Sequence, residues 1–499
     1  MAKNNFEPRL KLPKEVPNEG ILVGWSLEHE NKKQPIGFAY GDDKQTPKTG
    51  YLNPIVFESD GHLMTIAPTG AGKGTGCVIP TLLSYDGPVI VIDPKGENAA
   101  VTARQRREMG QKVIILDPMG ITGLSSERLN PLDLLNIDNL GVVDDVAMLA
   151  NTLLGAQFSA PRDKYWTSRG GQMIIGAMMY LMVEKPDEEL TIAAVREFLG
   201  QPPETLLELA QKMSQSPDPD LRQAASIFAM TAPETMGGIL SFAQEGLDFV
   251  RGQQVRTATS NSSFSLDEIT RGEPVSIYIV IPPEKLESHA RLLRLWVSVL
   301  ISAITRRRGP PPKPTLFILD EAAQLGTMPQ LRQAITLLRG YGLRTWSFWQ
   351  DVSQLKLLYP QDWPTMVNNC KVLQAFGSAN MAAARDVAEF TGFHSASTIL
   401  DLDYDEMVLS LAGDEAVISQ RPNYLQDPCY QGCFDDNPLH NPDADIMPKP
   451  ARRQRHYRRP SADKQQQPDP ETKTTADAID GRSIPPSLLK KIRKKWDEK

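Results

Sequence analysis

The chain has 499 residues, 40% hydrophobic and 23% charged, an ordinary globular composition with enough apolar material for two or more cored domains. Its net charge of −7, from 54 basic and 61 acidic residues, lacks the overall basic footprint of a nucleic-acid-coating protein. Four cysteines in a chain this long argue against a disulfide-built scaffold, and no stretch approaches the roughly 18 to 20 apolar residues that span a bilayer.

The opening MAKNNFEPRLKLPKEVPNEG is polar and proline-broken, unlike a signal peptide, and residues 1–50 are set apart as an N-terminal extension. An apolar run from Leu63 to Ile66 then feeds the glycine-rich APTGAGKGTG, with a helical pattern from Thr75. Glycines at 70, 72, 74 and 76 let backbone N–H groups curl around an anion, and the helix N-terminus behind them adds a positive dipole end. The pattern predicts a loop in which Thr69, Gly70, Ala71, Gly72, Lys73, Gly74 and Thr75 cradle the phosphates of ATP, Lys73 reaching the β- and γ-phosphates. Compared with the usual G-x-x-x-x-G-K-S/T, Ala67 replaces the first glycine and Gly74 stands where a Mg²⁺-binding hydroxyl belongs. Either Thr75 supplies that hydroxyl one position later, or Asp320, the phosphates and waters hold the ion without it. The glycine spacing does not fit the G-x-G-x-x-G of a dinucleotide site.

VIVIDPKGE (89–97) and VIILDP (113–118) are apolar strand runs that reach Asp-Pro, and VSIYIVI (275–281), TLFILD (315–320), LRTWSFWQ (343–350) and KVLQAF (371–376) continue the series. Continuous Val/Ile runs alternating with helical segments predict a mostly parallel sheet with helices on both faces. The fold class is α/β, a RecA-like P-loop NTPase core, formed from residues 51–139 and 251–429. Residues 140–250 lack strand runs and repeat apolar residues at steps of three and four, which predicts an all-α domain inserted in that core. Its Met-rich stretch is assigned to packing. From 430 to 499 no period survives, and a largely disordered, basic and Pro-rich tail is expected, with a short helix at 486–497.

Asp320 and Glu321 close the run 315–320, and an acidic pair at a strand end can hold Mg²⁺ and polarise an attacking water. Asp320 is the expected metal organiser and Glu321 the expected base. Gln350 ends the next apolar strand; parallel strand ends converge at one edge, which puts it near the γ-phosphate or that water. Asp93 and Lys95 sit near the same edge, either positioning phosphates or forming a turn. Trp346 and Trp349 have the spacing of sheet packing. Cys429, Cys433 and His440 have loose metal-ligand spacing, with unpaired thiols as the competing reading.

Taken in order, TIAPTGAGKGTGCVIPTLL, VIVIDPKGENAAVTA, ILDP, RLNPLDLL, DKYWTSRGGQ, LFILDEAAQLG and SFWQDVSQL resemble the TraG-type coupling ATPases of type IV secretion and bacterial conjugation, over residues 50–425. The glycine after the P-loop lysine is a familiar variant there. The resemblance implies a ring-forming, usually hexameric ATP motor whose all-helical domain faces the cytoplasm. Such a motor passes a relaxase–DNA nucleoprotein, with its single-stranded DNA, or a protein substrate to the secretion channel. It also implies that Arg339, ending MPQLRQAITLLRG, is an arginine finger for a neighbouring subunit's ATP; a helix-end cation favoured by the dipole is the competing reading. Typical members carry transmembrane helices ahead of the motor, and residues 1–60 contain none. The expectation is a cytoplasmic protein, peripheral at the inner face of the bacterial cell membrane, with a separate membrane-anchoring partner. Two other readings stay open: an FtsK-like DNA pump, and a nucleotide-gated adaptor that recruits substrates with little hydrolysis.

Overall fold

The computed structural model describes residues 12, 15, 20–26, 53–155, 164–185, 190–229, 233–412 and 414–440, all within the unit Met1–Ala444. One sheet of eleven strands organises them. In chain order the strands are β1 (Ile21–Ser26), β2 (Asn53–Phe57), β3 (His62–Ile66), β4 (Val89–Ile92), β5 (Lys112–Leu116), β6 (Val275–Ile279), β7 (Thr315–Leu319), β8 (Leu343–Trp349), β9 (Cys370–Ala375), β10 (Glu406–Leu411) and β11 (Val417–Gln420). Seven of them, in the order β9-β3-β8-β7-β4-β6-β5, pair in parallel. Strands β3, β4, β6, β7 and β8 are buried at every position, which is why their sequences run apolar without alternation.

Alternate residues of these strands enter two cores on opposite faces. Ile90, Ile92, Phe317 and Leu319 pack toward the long helix Pro283–Thr305, with its buried Trp296. Val89, Val91, Leu316 and Ile318 pack toward the helices Ile79–Ser84 and Glu97–Glu108. Trp346 and Trp349 fall one on each side and are buried, so both are packing residues. Register aligns the site edge: Ile66 lies opposite Trp349, Leu319 opposite Ser347, and Ile92 opposite Leu319. The residues that follow β3, β4, β7 and β8 therefore emerge together.

From Val142 to Gly246 the described chain is helical: Val142–Leu154, Lys164–Glu184, Ile192–Leu199, Pro203–Ser214, Pro219–Ala229 and Pro233–Gly246. Met173, Met178 and Met179 are buried in a core continuous with one face of the sheet. Gly176 lets two of these helices approach, since a Cβ there would stand 2.8 Å from the Phe228 ring.

The remaining strands form an antiparallel extension, β9-β10-β11-β1-β2. Strand β1 lies within residues 1–50, so part of the expected N-terminal extension is built into the sheet, where Gln374 donates to the Val23 carbonyl (2.7 Å). At the other end, residues 430–440 are packed: Tyr430 is buried, Arg104 pairs with Asp435 (2.7 Å) and Asn437 donates to Glu97 (2.9 Å). Residues 441–499, including the basic run and the expected helix at 486–497, lie outside the described residues. Among the described residues no helix is long and apolar enough to cross a membrane.

His62 opens β3 fully buried, its Nδ1 accepting from the Thr345 amide (3.0 Å). Burial, aided by the charges of Arg339 and Arg344, pulls its pKa from 6.5 down to about 4. A histidine held neutral by folding loses stability as pH falls through this window, because the unfolded chain takes the proton first; the total is about 3 kcal/mol. Asp427, raised by burial to about 6, has the opposite sign there, so the effect must be read as a difference. His62→Asn keeps an acceptor for Thr345. Denaturant midpoints should show wild type losing stability relative to this variant between pH 6.5 and 4; a constant difference would refute the assignment.

Candidate nucleotide site

The loop after β3 is anchored where Ala67 N–H donates to the Trp349 carbonyl (2.8 Å) and turned where Ala71 N–H donates to Pro68 (3.0 Å). Gly70 and Gly72 adopt φ of 78° and 86°, a region that side chains disfavour. Helical backbone begins at once, as a π turn Gly74–Val78 that continues into Ile79–Ser84. No side chain caps this N-terminus, which leaves it open to an anion. A Cβ on Gly74 would meet no heavy atom within 4 Å, so packing does not demand the glycine at the hydroxyl position. Thr75 lies half-buried in the same turn.

Four of the expected catalytic side chains meet beside this loop. Lys73 Nζ lies 3.2 Å from Asp320 Oδ1 and also binds Glu321 Oε2, while Gln350 Nε2 donates to Glu321 Oε1. Burial is the largest single influence on Lys73 and favours its neutral form, but Asp320 and Glu321 together outweigh it and raise the pKa. The ammonium stays charged. Asp320 is pushed above the usual carboxylate range because its burial, with Glu321's charge, outweighs the attraction of Lys73. Glu321 has φ 88°, the single positive value for a non-glycine among the described residues. Such strain persists where the surroundings hold it, here between an ammonium and an amide.

Asp320 Oδ1 is buried and faces the Lys73 ammonium at 3.2 Å, a hard oxygen of the kind Mg²⁺ takes with phosphates and waters once a triphosphate draws Lys73 away. The residues fit that ion. Asp93, which follows β4, is buried and accepts from Ala99 N–H (2.8 Å); burial raises its pKa to about 7. Asn98 donates to Asp93 (3.3 Å) and reaches Asp320 Oδ2 at 3.5 Å. Lys95 instead points outward, 63% exposed and 3.7 Å from Glu97.

Arg339 is not in this cluster. It lies in the turn Leu338–Tyr341 that precedes β8, at the opposite sheet edge, paired with Asp60 (2.6 Å). The length of β8 separates it from Gln350 by roughly 20 Å. Among the described residues no group of three or more His, Cys, Asp or Glu side chains is placed to hold a metal; Cys429 and Cys433 are free thiols, and His440 lies 3.5 Å from Glu97.

Two site residues had no sequence signal. Asn98 lies just after the DPKGE run, and Arg421 follows β11. The Arg421 guanidinium, between the rings of Phe376 (4.5 Å) and Tyr404 (4.8 Å), donates to the Ala71 carbonyl and so braces the loop from the antiparallel side.

Residues 26–398 match the family model described as Type IV secretory system Conjugative DNA transfer. The conjugal transfer protein TraG of Agrobacterium fabrum is 28% identical over 349 residues, 68% of this chain and 52% of that protein. The type IV secretion system-coupling protein VirD4 of Bartonella henselae is 25% identical over 391 residues, 75% and 60% of the two chains. The chain thus spans about half the length of the curated relatives it matches first (52%, 57% and 55%). Among solved structures, an unbound form of the bacterial conjugative coupling protein TrwB superposes with a TM-score of 0.57 at 16% identity, covering 77% of this chain and 90% of that one. TrwB in complex with ADP and Mg²⁺ gives 0.53 at 16% identity, over 72% and 84%. These likenesses establish the P-loop NTPase fold. With the family model matched over most of its length, the chain belongs to the type IV secretory system family of conjugative DNA transfer proteins.

Proposed function

We propose that this chain is an ATP-hydrolysing coupling motor that delivers a relaxase–DNA nucleoprotein, or a protein substrate, to a type IV secretion channel. The convergence of Lys73, Asp320, Glu321 and Gln350 beside the glycine loop carries this reading. A triphosphate entering the loop competes with both carboxylates for Lys73, whose ammonium then neutralises charge on the β- and γ-phosphates. Mg²⁺, when bound, would offset the negative charge that develops on the phosphates. Asp320 would hold it, with Thr75 supplying a hydroxyl or water taking that place. Glu321, released from Lys73, accepts the proton of the attacking water at its carboxylate, and the Gln350 amide orients that carboxylate and the water. Arg339, at the far sheet edge, can serve only a neighbouring subunit's ATP, which requires a homo-oligomer, a hexamer by family resemblance. The site of action would be the inner face of the cell membrane, through channel components and a membrane-anchoring partner.

The test is ATP turnover by the full chain against protein concentration, with and without single-stranded DNA. Turnover should rise cooperatively with concentration and again with DNA, whose strand would bind through sequence-independent phosphate contacts. Lys73→Ala should lower turnover at least about a hundredfold and weaken ATP binding. A rate indifferent to DNA and to assembly would overturn the translocation reading. Turnover unchanged by Lys73→Ala would overturn the site itself.

A further inference from the structure

We propose that Asn98 is the positioning residue for the metal carboxylate: its buried side-chain amide holds Asp320 in the orientation that presents Oδ1 to Mg²⁺. This rests on the Mg²⁺–ATP reading of the site above. The argument starts at the beginning of the helix Glu97–Glu108. Its N-cap is Gly96, at φ 71°, which has no side chain to cap the first N–H groups. Asp93 does so instead, from the end of β4, accepting from Ala99 N–H at 2.8 Å. That bond fixes where the first helical turn stands relative to the sheet edge. It thereby sets Asn98, 2% exposed, between the two carboxylates that leave β4 and β7 side by side.

An amide is the group this place calls for. One Nδ2 carries two N–H donors, and it faces Asp93 Oδ1 at 3.3 Å and Asp320 Oδ2 at 3.5 Å. A carboxylate there would be a third negative charge, and an aliphatic side chain would take this donor from both Asp93 Oδ1 and Asp320 Oδ2. With Oδ2 tethered, Oδ1 is the atom turned toward the loop, where Lys73 lies at 3.2 Å. A triphosphate draws Lys73 away, and Asn98 is then the neutral donor that still orients Asp320. Asp93 acts one step further back, through Asn98 and through the helix it caps. Outer partners of this kind set ligand orientation, and their loss typically lowers metal affinity by about 10- to 100-fold.

The experiment titrates Mg²⁺ into the full chain with a fluorescent, non-hydrolysable ATP analogue. Asn98→Ala should raise the Mg²⁺ concentration for half-maximal tight binding by about tenfold or more, while analogue affinity in EDTA stays at the wild-type value. High Mg²⁺ should restore turnover toward wild type. Thr102→Val is the control, because Thr102 binds the Asn98 carbonyl (2.6 Å) on the same helix without facing Asp320. It should lower the melting temperature and leave the Mg²⁺ midpoint alone. Asn98→Ser, smaller but still polar, serves if the alanine variant does not fold. A midpoint within about twofold of wild type in either folded variant would overturn the proposal, as would loss of the fold in both, which would make Asn98 a structural residue. If instead Lys73→Ala binds and turns over Mg²⁺–ATP like wild type, the failure belongs to the function proposed for the site and not to Asn98.

Discussion

Replacing Glu321 with glutamine should leave the chain able to bind ATP and Mg²⁺ while lowering turnover by about three orders of magnitude, the scale of a lost general base. The two side chains have the same shape, and both are non-glycine residues at φ 88°, so the backbone strain is unchanged between them. What changes is charge. The amide cannot take a proton from water, and it no longer pairs with Lys73, which Glu321 shares with Asp320. Lys73 should therefore be freer for phosphate, and ATP affinity should match or exceed that of wild type. Equilibrium binding of ATP beside single-turnover hydrolysis separates the two effects. Turnover within about tenfold of wild type would remove Glu321 from the base role and leave it a strained partner of Lys73.

The parallel half of the sheet was legible because burial on both faces forces continuous apolar runs, as in VIVI and TLFIL, and the runs TLFIL and LRTWSFW lead straight into residues of the candidate site. The glycine-rich loop marked Lys73 and the acidic pair marked Asp320 and Glu321, and the convergence of parallel strand ends placed Gln350 beside them. The antiparallel half was not legible. Strand β11 has four residues, one of them exposed, and β1 finds its partners at the two ends of the chain's described length, so no local pattern announces either. Arg421 inherits that opacity: its contact with Ala71 spans 350 positions and exists only because β11 returns to the P-loop. Asn98 was invisible for another reason. It lies at a helix start, where Asn is commonly a cap, but the cap is Asp93 and the amide is spent on two carboxylates. Asp93, read equally as a phosphate-positioning group or a turn, serves the helix and Asn98, while Lys95 beside it faces outward.

Arg339→Ala should lower turnover by about a thousandfold with little loss of ATP binding, and mixing that variant with Lys73→Ala should restore activity that neither has alone. The expectation follows from the sheet. Arg339 precedes β8 and Gln350 follows it, so within one subunit the guanidinium faces away from the P-loop it would serve. Its partner in the chain is Asp60, and both side chains are more than half exposed, 51% and 57%. An ion pair that open contributes about 0 to 1 kcal/mol, too little for its loss to unfold the protein and imitate a catalytic defect. Asp60→Asn, which breaks the pair and spares the arginine, should accordingly keep turnover near wild type. In a random one-to-one mixture about a quarter of the interfaces join an intact P-loop from the Arg339 variant to an intact arginine from the Lys73 variant. Turnover plotted against mixing ratio should peak near equality and fall to background at either end. Sedimentation must show mixed oligomers in the same samples. A flat plot from confirmed mixed oligomers would leave Arg339 as a helix-end cation paired with Asp60.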